Sequence, residues 1–175
     1  LAKAGRMYAA SRGEYLNGKI MAKYLGFEFI DSANVIRFDK DGHFDADTTD
    51  KLLSERLAAY DHAVIPGFYG AMANGTVVTF SRGGSDITGS LVAKAIHADL
   101  YENWTDVSGV LVADPRIINN PEVIHTITYT ELRELAYMGA SVLHEDAIFP
   151  VRKAGIPINI RNTNAPEDDG TMIVE

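Results

Sequence analysis

Apolar and polar positions along this chain switch between a helical and an alternating period, and the switches predict its elements. Leu1 to Leu25 predicts a helix, with Ile20, Met21, Tyr24 and Leu25 at helical spacing. Phe27 to Asp31 reads as a strand, and Val35 to Phe44 as a hairpin turning at Asp41-Gly42. A second helix runs from about Thr49 to Tyr60, with Asp47 or Thr48 as its N-cap. His62 to Pro66 is a short buried strand ending in the loop Gly67-Phe68-Tyr69-Gly70. A further hairpin turns at Asn74-Gly75 and returns over Thr76 to Phe80.

The segment Ser81 to Asp86 leads into an Ala-rich helix ending near Ala98, and Leu100 to Trp104 is the next strand. Thr128 and Glu131 form a T-x-x-E capping box for a helix that ends at Gly139. Another helix spans roughly Glu145 to Ala154 and stops at Gly155. Ile156 to Ile160 forms a last strand, and Asn162 to Gly170 is polar and turn-rich. Strands alternating with helices give the α/β class, with a largely parallel sheet between helical layers. No internal repeat, low-complexity run or second domain stands out, and without an initiator Met the chain is expected to begin inside a domain.

Composition narrows the function classes. The chain has 175 residues, 46% of them hydrophobic, which suffices for a globular core. A net charge of -8 repels phosphate backbones and anionic lipid, so neither a nucleic acid nor a membrane is the expected partner. No apolar run approaches the roughly 18 residues of a membrane span, and the default location is cytoplasmic. Zero cysteines exclude a disulfide framework, and the five histidines show no metal-ligand spacing.

Three segments carry candidate chemistry. In Ser81-Arg82-Gly83-Gly84-Ser85-Asp86, two glycines let the backbone approach a ligand, and the free N–H groups of the following helix face any anion there. Arg82 adds a planar donor fork suited to a carboxylate. The plainer reading of the same segment is a strand-to-helix turn in which Ser85 or Asp86 caps the helix. Trp104-Thr105-Asp106-Val107-Ser108-Gly109-Val110 directly follows a strand, where ligands of open α/β sheets bind, although an ordinary Asp turn has the same composition. Ser11-Arg12-Gly13-Glu14 places a carboxylate near a glycine in a helical stretch, which on its own reads as a solvated face.

Taken in order, these segments resemble the motifs of aspartate kinases in the amino acid kinase family. The resemblance runs through S-R-G-E at Ser11 to Glu14, G-F-Y-G at Gly67 to Gly70 and S-R-G-G-S-D at Ser81 to Asp86. It continues through W-T-D-V-S-G-V at Trp104 to Val110, D-P-R at Asp114 to Arg116 and M-G-A-S-V-L-H at Met138 to His144. It implies a three-layer αβα sandwich of the carbamate kinase-like type with its N-terminal part missing, because the family opens on a K-x-G-G phosphate loop that these residues do not contain. C-terminal ACT modules are likewise not among them.

The activity implied is ATP-dependent phosphorylation of the L-aspartate β-carboxylate to 4-phospho-L-aspartate, the first step toward lysine, threonine and methionine, by a homodimer using ATP and Mg2+. By the resemblance, Glu14 contacts the substrate amino group and Arg82 its carboxylate, while Phe68 and Ser85 line the pocket. Arg82 and Asp86 are the implied catalytic pair. Thr105, Asp106, Leu111 and Arg116 would hold the nucleotide. So would position 141, where the family's Lys is replaced by Ser141 and the Pro that follows its His by Glu145. No protein ligand for a metal is implied. The alternatives are another kinase of the superfamily, acting on glutamate or acetylglutamate, and a non-catalytic binding or interaction fragment.

Overall fold

The computed structural model describes residues 5–114, 116–137, 143 and 145–175, the side chains of residues 145 and 146 excepted. The chain forms two compact units, Leu1–Ile96 and His97–Glu175. No Gly, Pro or polar stretch marks the junction; the backbone turns there through His97, whose φ is 51°.

In the first unit, α1 (Arg6–Leu25) closes on Gly26, whose φ of 73° ends the helix in the left-handed region. The helix ends at Leu25 as the periodicity predicts but begins at Arg6 rather than Leu1, with Leu1 to Ala4 outside the described residues, and its buried side is made of small residues, Ser11, Gly18 and Ala22. Ile20 and Tyr24 are instead 66% and 83% exposed. β1 (Glu28–Phe29) pairs in parallel with β4 (Ala63–Val64). Between them, Asp31 caps the one-turn helix α2 (Ser32–Val35) by accepting from the Ala33 N–H. Val35 completes that turn, so the hairpin predicted to start there begins later, as β2 (Arg37–Phe38) and β3 (Phe44–Asp45).

α3 (Ala46–Leu57) is capped by Asp45, which accepts from the Thr48 N–H at 3.1 Å, and not by Asp47 or Thr48 as expected. β5 (Tyr69–Met72) pairs in parallel with β2 and antiparallel with β6 (Val77–Thr79), through the predicted Asn74-Gly75 turn. Tyr69 and Gly70, expected in a loop, are therefore strand residues. Tyr69, Gly70 and Ala71 are all buried, which removes the alternation that would have revealed the strand. α4 (Gly84–Ala95) follows and ends three residues before the expected Ala98. Leu53, Leu57 and Leu91 from α3 and α4 meet Ile36, Phe38 and Val78 in one apolar cluster.

The second unit holds β7 (Tyr101–Thr105), β8 (Thr126–Thr128), α5 (Tyr129–Tyr137), α6 (Glu145–Lys153), β9 (Ile158–Asn162) and β10 (Thr171–Val174). Its sheet runs β7-β9-β10-β8, and only the β9–β10 pair is antiparallel. β8 and β10 were absent from the sequence reading, so β9 is not the last strand. The capping box forms as predicted: the Thr128 N–H donates to Glu131 Oε2 at 2.8 Å and the Glu131 N–H to Thr128 Oγ1 at 3.2 Å. Those bonds hold the Glu131 carboxyl below its ordinary range. The predicted stop at Gly139 lies outside the described residues.

Strands and helices alternate as the α/β class requires. Among the described residues the strands form three sheets rather than one, with four parallel and three antiparallel pairings. No described helix is long and apolar enough to cross a membrane.

Candidate active site

In the first unit, the G-F-Y-G and S-R-G-G-S-D segments are locked against each other. A Cβ built on Gly84 would lie 2.7 Å from the Phe68 Cβ, and one on Gly67 would lie 2.9 Å from the Ser85 Oγ, so both contacts require glycine. The buried Thr88 hydroxyl fastens them further, accepting from the Phe68 N–H at 3.1 Å and donating to the Gly84 carbonyl at 2.8 Å. The Phe68 carbonyl in turn accepts from the Phe80 N–H. Phe68 itself is held at φ 63°, a left-handed conformation that costs a non-glycine residue roughly 1–3 kcal/mol. Such strain persists only where the surroundings over-determine it.

α4 starts at this junction. Gly83, at φ 56°, is its N-cap and offers no side chain, so the reading in which Ser85 or Asp86 merely caps the helix is ruled out. Both lie inside the first turn, Ser85 exposed and Asp86 half-buried, at the positive end of the helix dipole. The third motif reaches the same place through α1. Gly18 packs on Pro66, the residue before Gly67, with its Cβ position 3.1 Å from the Pro66 ring. Glu14 lies one turn earlier on that side of the helix. Glu14 and Arg82 are both exposed, and neither has a hydrogen-bond or ion-pair partner among the described residues.

The second unit positions the T-D segment at the end of β7. The Thr105 carbonyl accepts from both the N–H and the hydroxyl of Thr163, and the Thr105 hydroxyl lies 3.3 Å from Asp106 Oδ1. Ser108 donates to Asp168 at 2.7 Å and accepts from Asn162 at 2.9 Å. Gly109, at φ 116°, lies against the buried Thr171, whose hydroxyl accepts from the Val110 N–H and donates to the Ile124 carbonyl. Leu111, half-buried, bridges to Val123. Asp106 stays exposed at the loop tip.

Arg116 is 88% exposed and is bound by its neighbour: Nε and Nη2 reach the Asp114 carboxylate at 3.0 and 2.6 Å. That pairing draws the Asp114 carboxyl down to about 2. Ser141 lies outside the described residues, as do Pro115, Met138 to Ala140, Val142 and His144. One group of potential metal donors among the described residues escaped the histidine spacing, Asp39, Asp41 and His43. All three are exposed on the β2–β3 turn, where Asp39 Oδ1 accepts from the Asp41 and His43 N–H groups and so serves the turn itself.

Sequence reasoning missed Thr88, Thr171, Tyr69 and Asp31. A signal existed for Thr88, since a Thr four residues after a helix-start glycine can bond back to its carbonyl. Thr171 gives no such signal, because its partners are 47 and 61 residues away.

Residues 3–162 match the profile of the amino acid kinase family, and the chain belongs to that family. Within it, the chain is 51% identical over 120 residues to aspartokinase 3 of Bacillus subtilis, covering 68% of this chain and 26% of that protein. The structure superposes on the aspartate kinase of Clostridium acetobutylicum with a TM-score of 0.93 at 63% identity, over 98% of this chain and 39% of that one. It also superposes on Escherichia coli aspartokinase III in complex with aspartate and ADP, with a TM-score of 0.85 at 28% identity, over 97% of this chain and 40% of that one. The chain thus spans between a quarter and two-fifths of the length of these relatives.

Proposed function

We propose that this chain supplies the aspartate pocket and much of the nucleotide pocket of an aspartate kinase. The observation that carries the reading is the interlock of Phe68 and Gly84. It brings the G-F-Y-G loop, the α4 N-terminus and, through Gly18 and Pro66, the Glu14 segment to one place. An α-amino acid presents an ammonium and a carboxylate there, and Glu14 and Arg82 are uncompensated charges of opposite sign to receive them. Phe68 and Ser85 line the pocket, and Asp86 with Arg82 faces the reacting end. Thr105, Asp106 and Leu111 hold the nucleotide, with Arg116 and Ser141 on its phosphate side. The likeness to a kinase bound to aspartate and ADP supports this assignment.

In the reaction, a β-carboxylate oxygen attacks the γ-phosphorus of ATP in line. A P–O bond forms, the bond to the β,γ-bridging oxygen breaks, and ADP leaves with that electron pair. The product is an acyl phosphate. Mg2+ would supply charge neutralisation to the transferring phosphoryl group. Asp106 is a carboxylate suited to such a cation. Positioning and electrostatics carry such a transfer, so no protein nucleophile is needed. In the intact protein the enzyme works as a cytoplasmic homodimer.

Arg82→Ala in the intact protein tests the reading by steady-state kinetics. Loss of the carboxylate's partner raises the aspartate KM about 30-fold, roughly 2 kcal/mol, and leaves that for ATP in place. Arg82→Lys recovers only part. An unchanged aspartate KM rejects the role of Arg82. Turnover with glutamate or acetylglutamate in place of aspartate selects the neighbouring kinases instead.

A further inference from the structure

Tyr69 sits between Phe68 and Gly70, and its side chain is among the largest that the fold buries completely. Such a ring needs a partner for its hydroxyl. The partner is remote in sequence: Tyr69 Oη donates to Asp31 Oδ1 at 2.8 Å across 38 residues. The same carboxylate oxygen accepts from the Ala33 N–H and caps α2, so its position is fixed by a helix start rather than by a mobile side chain. Ser32, next to Asp31, donates to the Pro66 carbonyl just before the loop. On the other side, the Arg12 guanidinium lies over the Tyr69 ring, 5.5 Å from its centre, and stacks 4.4 Å from the rings of both Tyr8 and Tyr15. Two donors of Arg12 are spent on Ser11, and no carboxylate pairs with it among the described residues. Arg12 therefore serves as a packing plate between α1 and Tyr69. Burial, and after it the Asp31 carboxylate, hold the Tyr69 hydroxyl far above its ordinary range, so it remains a donor at any working pH.

We propose that Tyr69 and Asp31 are positioning residues for the amino-acid substrate, their hydrogen bond holding the strained Phe68 against Gly84 and thereby setting the affinity of the pocket. The inference rests on the assignment of that pocket to aspartate. Thr88 fastens Phe68 from the α4 side, and Tyr69 fastens it from the α2 side.

Tyr69→Phe removes only the hydroxyl and keeps the ring, and Asp31→Asn keeps an acceptor for it. In the intact protein, Tyr69→Phe is expected to raise the aspartate KM about fivefold to tenfold, with kcat and the ATP KM within about twofold. Asp31→Asn, which replaces the carboxylate acceptor by a weaker amide oxygen, should raise the aspartate KM in the same direction by a smaller factor. Amide hydrogen exchange at residues 67–70 and 84–88 should quicken in Tyr69→Phe and, to a smaller extent, in Asp31→Asn. A Tyr69→Phe protein that melts at a lower temperature with an unchanged aspartate KM overturns the proposal and leaves the residue structural. Unchanged exchange at the loop overturns it as well. If the wild-type protein turns over no aspartate, the pocket assignment fails and this inference falls with it; if the wild type is active and Tyr69→Phe matches it, only the inference fails.

Discussion

Single residues in this chain are set by their nearest partners more than by their motifs, and Arg116 is the clearest case. In D-P-R it reads as a phosphate-side cation, yet its guanidinium grips Asp114 in a bidentate pair. The pairing stabilises the charged carboxylate, so the folded titration of Asp114 lies below its ordinary 3.8. The attraction is therefore fully present above about pH 4 and is lost as pH falls through about 2. An NMR titration of Asp114 should show a midpoint near 2 in the wild type and a rise toward 3.8 in Arg116→Ala. A midpoint unmoved by the substitution would dissolve the pair. Glu14 and Arg82 are the opposite case. Their motifs singled them out, and the structure leaves both without an internal partner among the described residues. The residues that hold the pocket in shape were harder to read. Tyr69 looked like a loop residue because burial on both faces of its strand hides the alternation, and its partner Asp31 looked like the end of a strand.

At the scale of elements, the G-F-Y-G segment and α4 are packed as one body joined through two glycines. Gly84→Ala tests this, because its methyl would stand 2.8 Å from the Phe68 Cα and one of the two must move. Overpacking of this kind costs about 1–3 kcal/mol, and here the strain falls on a loop already in a costly conformation. The aspartate KM should rise at least about tenfold while the circular dichroism spectrum is retained. A variant with wild-type kinetics would show that the contact is slack. Elements carried by local chemistry were legible in the sequence: the capping box at Thr128 and Glu131, the Asn74-Gly75 turn and the stop of α6 at Gly155. Those that depend on distant pairing were not. β10 is four residues long and becomes a strand only by lying between β8 and β9. The α1 periodicity found the helix but chose the wrong buried face, because close packing against Pro66 and Phe29 selects Gly18 over any larger side chain.

For the whole molecule, the decisive fact is that 175 residues span between a quarter and two-fifths of the relatives' length. They contain no K-x-G-G segment, and a transfer that depends on holding the γ-phosphate in line loses most of its rate without such a loop. The 175-residue chain alone should release no ADP above background in a coupled assay with ATP and aspartate. Robust turnover by the pure chain would refute this. The same chain will also be awkward in solution, for a reason that lies in α1. At about 3.6 residues per turn, Leu16, Ile20 and Tyr24 fall opposite the buried Ser11, Gly18 and Ala22. They are 57%, 66% and 83% exposed, an apolar stripe on a chain of net negative charge. At low ionic strength the net charge of -8 keeps copies apart. Added salt screens that repulsion, and a kosmotrope such as sulfate also strengthens apolar contact. The molecule should therefore salt out early, so that light scattering rises with added sulfate and stays low in dilute buffer.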